Sequence, residues 1–128
     1  MAPKPPNVRD APAEPSRPSG EVYAVGGPDM AATVMFIFAR FHARAGQEEA
    51  VAGVLLDVLA PSREEPGCLD IHAYRSVRDA RLFYIHSRWT DEAAFDLHGR
   101  LPHTVRFVER LAPLLDHPLD VHRTLQIG

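Results

Sequence analysis

Eleven residues constrain this chain more than any others: Thr33 to Ala43, TVMFIFARFHA. The run is rich in β-branched and aromatic residues, and it is too short for the ~18 residues of a membrane-spanning helix. Its alternation leaves both faces apolar. Met35, Ile37, Ala39 and Phe41 lie on one side, and Val34, Phe36 and Phe38 on the other. A strand with that pattern needs cover on both faces, so it belongs inside a sheet with helices on one side and a partner on the other.

The sequence after it supplies those pieces in order. Arg44-Ala45-Gly46 breaks the strand, and Gln47 to about Glu64 reads as an amphipathic helix. Val51, Val54, Leu55, Val58 and Leu59 hold its i, i+3, i+4, i+7, i+8 stripe. Pro66-Gly67 is expected to end the helix, with the glycine free to take a positive φ. Cys68–Val77 and Ala80–Thr90 read as an antiparallel hairpin turning at Arg78-Asp79. Thr90 or Asp91 can cap a second helix through Ala94, Phe95 and Leu97. Pro102 suits the first turn of a further segment carrying Val105, Phe107, Val108, Leu111 and Leu115. Pro118 precedes a last strand, Leu119 to Ile127.

This order, β-α-β-β-α-β, predicts an α+β fold: a ferredoxin-like four-stranded antiparallel sheet with its helices on one face. Two helices cover one face only. Phe36 and Phe38 therefore remain on an open apolar face, for which sheet-to-sheet homodimerisation is the simplest cover.

Before residue 30 the character differs. Seven of the twelve prolines fall in residues 1–28, among Ser, Gly, Ala and mixed charges. Such a segment buries too little apolar surface to offset its ordering entropy. Residues 1–30 are expected to form a disordered or extended arm, with Val22-Tyr23-Ala24-Val25 able to dock on a neighbour, and residues 31–128 a single domain. A formal charge of -3 gives no electrostatic reason to expect nucleic acid or an anionic membrane. The one cysteine, Cys68, excludes an internal disulfide and fits a reducing cytoplasm. The first residues lack the apolar core of a secretory signal.

Motif chemistry narrows the possibilities further. The seven histidines include no H-x-x-x-H pair on a helix, and no Cys/His cluster. His98 and His103 are five apart with Pro102 between them, so spacing alone points to no metal. No glycine-rich loop joins a strand to a helix for a nucleotide cofactor. Cys68 follows a turn without an activating base.

Several short pieces in series carry a resemblance. They are Ala39-Arg40-Phe41 followed by Ala45-Gly46, Glu65-Pro66-Gly67-Cys68-Leu69, Arg88-Trp89, Ala94-Phe95-Asp96-Leu97-His98 and Pro102-His103. In this order, over residues 33–127, the chain resembles the antibiotic biosynthesis monooxygenase domain family of dimeric α+β barrels. The resemblance implies oxygenation of a quinol or aromatic polyketide phenol by dioxygen in a homodimer, with no metal, flavin or other cofactor. It implies a candidate catalytic set of His98, Trp89 and Tyr74, with His72, His103, Phe95 and Arg40 touching the substrate. A histidine suits the base, because its ordinary pKa lies near working pH, and an Arg, Tyr or Trp N–H suits an oxyanion.

Plainer roles stand beside these. Trp89 can be core packing, His98 a hydrogen-bonded buried histidine, His103 a helix cap and Arg40 an ion-pair residue. His72 and Tyr74 share a strand face with Asp70, and that face either lines a cavity or belongs to the dimer seam. His42, His86 and His122 also fall on strands, as interfacial or exposed residues.

The heme-degrading branch of the family carries an Asn, a Trp and a ligating His where this chain has Ala39, His98 and Val108. All three depart from that pattern, which leaves heme degradation a minor third option. Ser87 stands where relatives often have Glu, and Ile71 where they often have Tyr. The alternative to an oxygenase is a non-catalytic dimeric barrel that binds a small hydrophobic ligand or serves as an accessory or stress protein.

Overall fold

The computed structural model describes residues 33–128; the expected arm at residues 1–30, with its Val22–Val25 docking segment, lies outside the described residues. The elements run β1 (Met35–His42), α1 (Glu48–Arg63), β2 (Cys68–Arg75), β3 (Leu82–Trp89), α2 (Glu92–His98), α3 (Pro102–Leu111), a 3-10 turn (Ala112–Leu114) and β4 (Asp120–Thr124). The strands form one sheet in the order β2-β3-β1-β4, with every neighbouring pair antiparallel. This is the expected ferredoxin-like arrangement, its second helical segment divided into α2 and α3. No helix among the described residues is long and apolar enough to cross a membrane.

The alternation of β1 does what its sequence requires. Met35, Ile37, Ala39 and Phe41 are buried, while Phe38 on the opposite face is 50% exposed. The whole predicted stripe of α1, Val51, Val54, Leu55, Val58 and Leu59, is buried against that inner face with Ile71, Phe83, Ile85, Leu111 and Leu115. At about 1.5–3 kcal/mol for each fully buried large aliphatic or Phe side chain, this cluster is the main source of stability. A second, smaller cluster forms where β1 begins and β3 ends: Met35, Ile37 and Trp89, with Cys68, Ala94, Phe95 and Leu125 packed on them.

Three turns show why the chain reverses where it does. Gly46 takes φ 84 between β1 and α1, the only positive-φ glycine among the described residues. Gly67 does not, which corrects the expected role of Pro66-Gly67. A Cβ on Gly67 would lie 2.4 Å from Ala94 Cβ and 3.3 Å from Thr90 Oγ1. Glycine is required there for close approach, not for dihedral freedom. It lets the α1–β2 connection lie against the first turn of α2, while Thr90 N donates to Gly67 O at 2.9 Å. In the β2–β3 turn, Ser76 Oγ accepts from the amides of Arg78 and Asp79, and Asp79 Oδ1 accepts from that of Arg81.

The face of the sheet away from the helices carries Phe36, Phe38 and Arg40 from β1, Tyr84, His86 and Arg88 from β3, and Asp70, His72 and Tyr74 from β2. His72 opposes His86, Tyr74 opposes Tyr84 and Asp70 opposes Arg88, whose guanidinium donates to Asp70 Oδ2 at 2.7 and 2.9 Å. Phe38 and the His86 ring lie 4.7 Å apart.

Candidate active site

Trp89 ends β3 on the inward register shared by Phe83, Ile85 and Ser87, and it is wholly buried. Asp91 caps the helix that follows, its Oδ1 accepting from Ala94 N at 2.8 Å. The cap sets the phase of α2, and Phe95 and His98, three residues apart, then face the indole together. The Trp89 and His98 rings lie 4.5 Å apart, Trp89 and Phe95 5.6 Å in an edge-on arrangement, and Phe95 stacks on His98 at 5.5 Å. Trp89 Nε1 donates to Ser87 Oγ at 2.9 Å. The indole N–H is thus already engaged by Ser87, and it is no free donor for an oxyanion.

Behind this aromatic seam stands Glu65, at the end of the connection leaving α1. His98 Nδ1 donates to Glu65 Oε2 at 2.8 Å and His103 Nε2 donates to the same oxygen at 2.7 Å. The three side chains are 8%, 11% and 18% exposed for Glu65, His98 and His103. A carboxylate only accepts, so the His98 proton sits on Nδ1 and Nε2 keeps the lone pair of the neutral ring. Burial pushes the His98 pKa below its ordinary value, and the Glu65 hydrogen bond opposes that shift without overturning it. The result is an oriented imidazole that stays uncharged at neutral pH and is able to take a proton at Nε2.

His103 also borders a narrow groove of about 90 Å³ between α1 and α3, with Asp57, Pro61, Arg106 and Arg110. A larger open cleft of about 390 Å³ lies elsewhere, lined by Arg40, His42, Asp79, His117 and Asp120. Neither is bordered by Trp89 or His98.

The residues singled out in the sequence therefore separate into two groups. Trp89, Phe95, His98 and His103 come together at the helix–sheet seam. Tyr74 and His72 lie on the open face of the sheet, on the other side from that seam, and Arg40 lines the larger cleft on that face. Cys68 is packed at the seam, where burial pushes its thiol up to about 11, well away from a reactive thiolate.

Sequence reasoning missed Glu65 as a functional group. Its partners lie 33 and 38 residues away, and no local spacing reports them. The five-residue separation of His98 and His103 is also less restrictive than it looks: the α2–α3 turn folds both onto one carboxylate. Glu65, His98 and His103 form one set whose donor atoms lie within 4.8 Å of one another, and His42, Asp116 and His117 form a second.

Comparison with known proteins places this geometry in context. A family model described as antibiotic biosynthesis monooxygenase matches residues 35–110. The chain is similar to an uncharacterized protein of Synechocystis (sll1783), 33% identical over 49% of this chain and 43% of that one. It is also similar to the Bacillus subtilis protein named "Putative monooxygenase YcnE", 36% identical over 49% of this chain. The matched stretch covers 66% of that Bacillus protein and less than half of the Synechocystis one. Among solved structures, PA3566 from Pseudomonas aeruginosa superposes with a TM-score of 0.71 at 30% identity, over 77% of this chain and 98% of that one.

Proposed function

The chain belongs to the antibiotic biosynthesis monooxygenase family, and from that premise we propose that it is a cofactor-independent monooxygenase oxidising a quinol or aromatic polyketide phenol to a quinone with dioxygen. The observation that carries this reading is the oriented, uncharged His98 between Glu65 and Trp89. His98 Nε2 takes the phenolic proton. The electron-rich ring then reduces dioxygen and forms a C–O bond to it, and the peroxide is protonated. Loss of water, with departure of the ring C–H proton, leaves the new carbonyl. One oxygen atom enters the product and the other leaves as water, so the substrate supplies every electron. Phe95 and Trp89 supply the apolar wall that keeps water from the carbanion. Positioned bases of this kind contribute about 10²–10⁴-fold.

The groove at His103 is smaller than the ~300–1,000 Å³ of ordinary ligand pockets, so admission of a two-ring substrate requires the α2–α3 turn to move from α1. That same tightness favours a second reading. Trp89 is 0% exposed, as in a non-catalytic barrel that binds a small hydrophobic ligand or serves as an accessory protein.

Dioxygen uptake with a panel of dihydroxynaphthalenes and anthrones separates the two. The oxygenase reading expects uptake by the wild type and loss in His98→Ala, with a smaller loss in Trp89→Phe. Uptake that is equal in all three proteins removes these residues from the mechanism, and no uptake with any substrate favours the binding module. We also infer a homodimer formed through the open sheet face, supported by exposed Phe38, Tyr74 and Tyr84, and a cytoplasmic setting, supported by the single thiol. Sedimentation as a monomer at micromolar concentration would overturn the dimer.

A further inference from the structure

The end of β1 opposite Trp89 carries a second histidine–carboxylate cluster, which the proposed reaction does not use. His42 is the last residue of β1, Asp79 lies in the β2–β3 turn, and Asp116 and His117 lie between the 3-10 turn and β4. Backbone bonds fix their relative positions: Asp116 N donates to His42 O at 3.0 Å and Arg44 N to Leu114 O at 2.8 Å. His42 Nδ1 stands 2.9 Å from Asp116 Oδ1, and His117 Nδ1 meets the same oxygen. The three donor atoms lie within 4.8 Å of one another, a spread that side-chain rotation closes to the ~3.3 Å separation implied by tetrahedral metal–ligand bonds of ~2.0–2.1 Å.

The surroundings of these atoms are those that a metal site needs. His42 Nε2 donates to Asp79 Oδ2 at 2.9 Å, and Asp79 is itself held by the Arg81 amide. That outer carboxylate assigns a proton to Nε2 and leaves Nδ1 as the ligating nitrogen, the usual arrangement of a carboxylate behind a metal-bound histidine. Asp116 Oδ2 accepts from Arg81 Nη2 at 2.8 Å and lies 3.0 Å from His42 Nδ1, so the carboxylate is held against the cluster with Oδ1 shared by the two imidazoles. His117 is 68% exposed and lines the 390 Å³ cleft with His42, so further coordination positions open to water.

We propose that His42, Asp116 and His117 form a binding site for a borderline divalent transition-metal ion, zinc being the reference case. Two imidazole nitrogens and one carboxylate select such ions over magnesium or calcium, which prefer all-oxygen shells. Binding displaces the Nδ1 protons of both imidazoles. The charged groups facing the site are Asp79, Asp116 and Arg81, with Arg40 and Asp120 across the cleft. Protons compete with the metal for both imidazole nitrogens, so zinc affinity falls as pH is lowered.

Calorimetric titration of the untagged full chain with zinc chloride, in a non-chelating buffer, tests the assignment. The expected result is one strong site per chain, weakened at least tenfold in His117→Gln and in Asp116→Asn and unchanged in His122→Gln. His117 is exposed, so its variant keeps the fold, which a thermal melt checks. Absence of wild-type binding, or equal binding by His117→Gln, overturns the proposal. Binding that survives in His117→Gln but falls in His103→Gln assigns the ion to the Glu65 seam and overturns it as well.

Discussion

Two histidines in this molecule meet a carboxylate at nearly the same distance, and their chemistry diverges. At the seam, His98 Nδ1 lies 2.8 Å from Glu65; at the rim, His42 Nδ1 lies 2.9 Å from Asp116. Burial against Trp89 and Phe95 dominates the first and holds the ring neutral. Hydrogen bonds from the ring to Asp116 and Asp79 dominate the second, where solvent remains close, and they favour the protonated ring. Distance to a carboxylate therefore does not set the charge of a histidine. The solvent around the pair does, because desolvation penalises the imidazolium before any partner can stabilise it. In the proposed reaction the seam histidine takes a proton from a phenol, and in the proposed metal site the rim exchanges protons for another cation.

The largest test of this contrast is packing. Trp89→Ala empties the seam and is expected to cost about 3–5 kcal/mol in urea unfolding, whereas His117→Ala at the rim should stay within ~0.5 kcal/mol. Similar losses at both positions would break the comparison.

Two glycines sharpen it. Gly67→Ala drives a methyl onto Ala94 and should cost roughly 1–3 kcal/mol through overpacking. Gly46→Ala costs about 1–2 kcal/mol for a different reason, its φ of 84 with nothing within 4 Å. Asn should restore part of the loss at position 46, because it tolerates that backbone, and should worsen it at 67. Equal behaviour of the two Asn variants in thermal melts would refute the distinction.

Acid titration of stability comes next, with opposite signs. The folded midpoint of His98 lies below its ordinary 6.5, so the unfolded chain takes up that proton first and the His98 contribution weakens as pH falls below 6.5. The folded midpoint of His42 lies above 6.5. Its contribution is complete below 6.5 and is lost as pH rises through the raised midpoint. Melting curves should show His98→Gln less acid-sensitive than wild type below pH 6.5, and His42→Gln less sensitive to rising pH above 6.5. The smallest effect belongs to Arg110→Ala, which breaks an exposed pair with Asp57 at 3.2 Å and should change stability by no more than ~0.5 kcal/mol.

Much of the fold is legible in the sequence because it rests on periodicity. The two-faced β1, the stripe of α1, the Asp91 cap and Pro102 at the start of α3 are local patterns, and each appears where it is expected. Strand ends are less legible: β4 covers Asp120–Thr124 rather than Leu119–Ile127, since pairing with β1 stops at Phe36. Gly67 was readable as necessary but not for the right reason, because its constraint comes from Ala94 across a tertiary contact. The site divides the same way. Trp89, Phe95 and His98 follow from one strand end and one helix face, whereas Glu65 joins them only through folding. The rim cluster draws His42 from a strand end and Asp79 and Asp116-His117 from two connections, and no spacing rule could have assembled it.

The direct test of the central claim, that the seam keeps His98 uncharged and ready as a base, is a histidine NMR titration of the full chain in chelator-treated buffer. The account predicts a His98 midpoint below 6.5 that moves lower still in Glu65→Gln, alongside a His42 midpoint above 6.5. A His98 midpoint above 6.5 would make it the charged partner of Glu65 and contradict its role as the base.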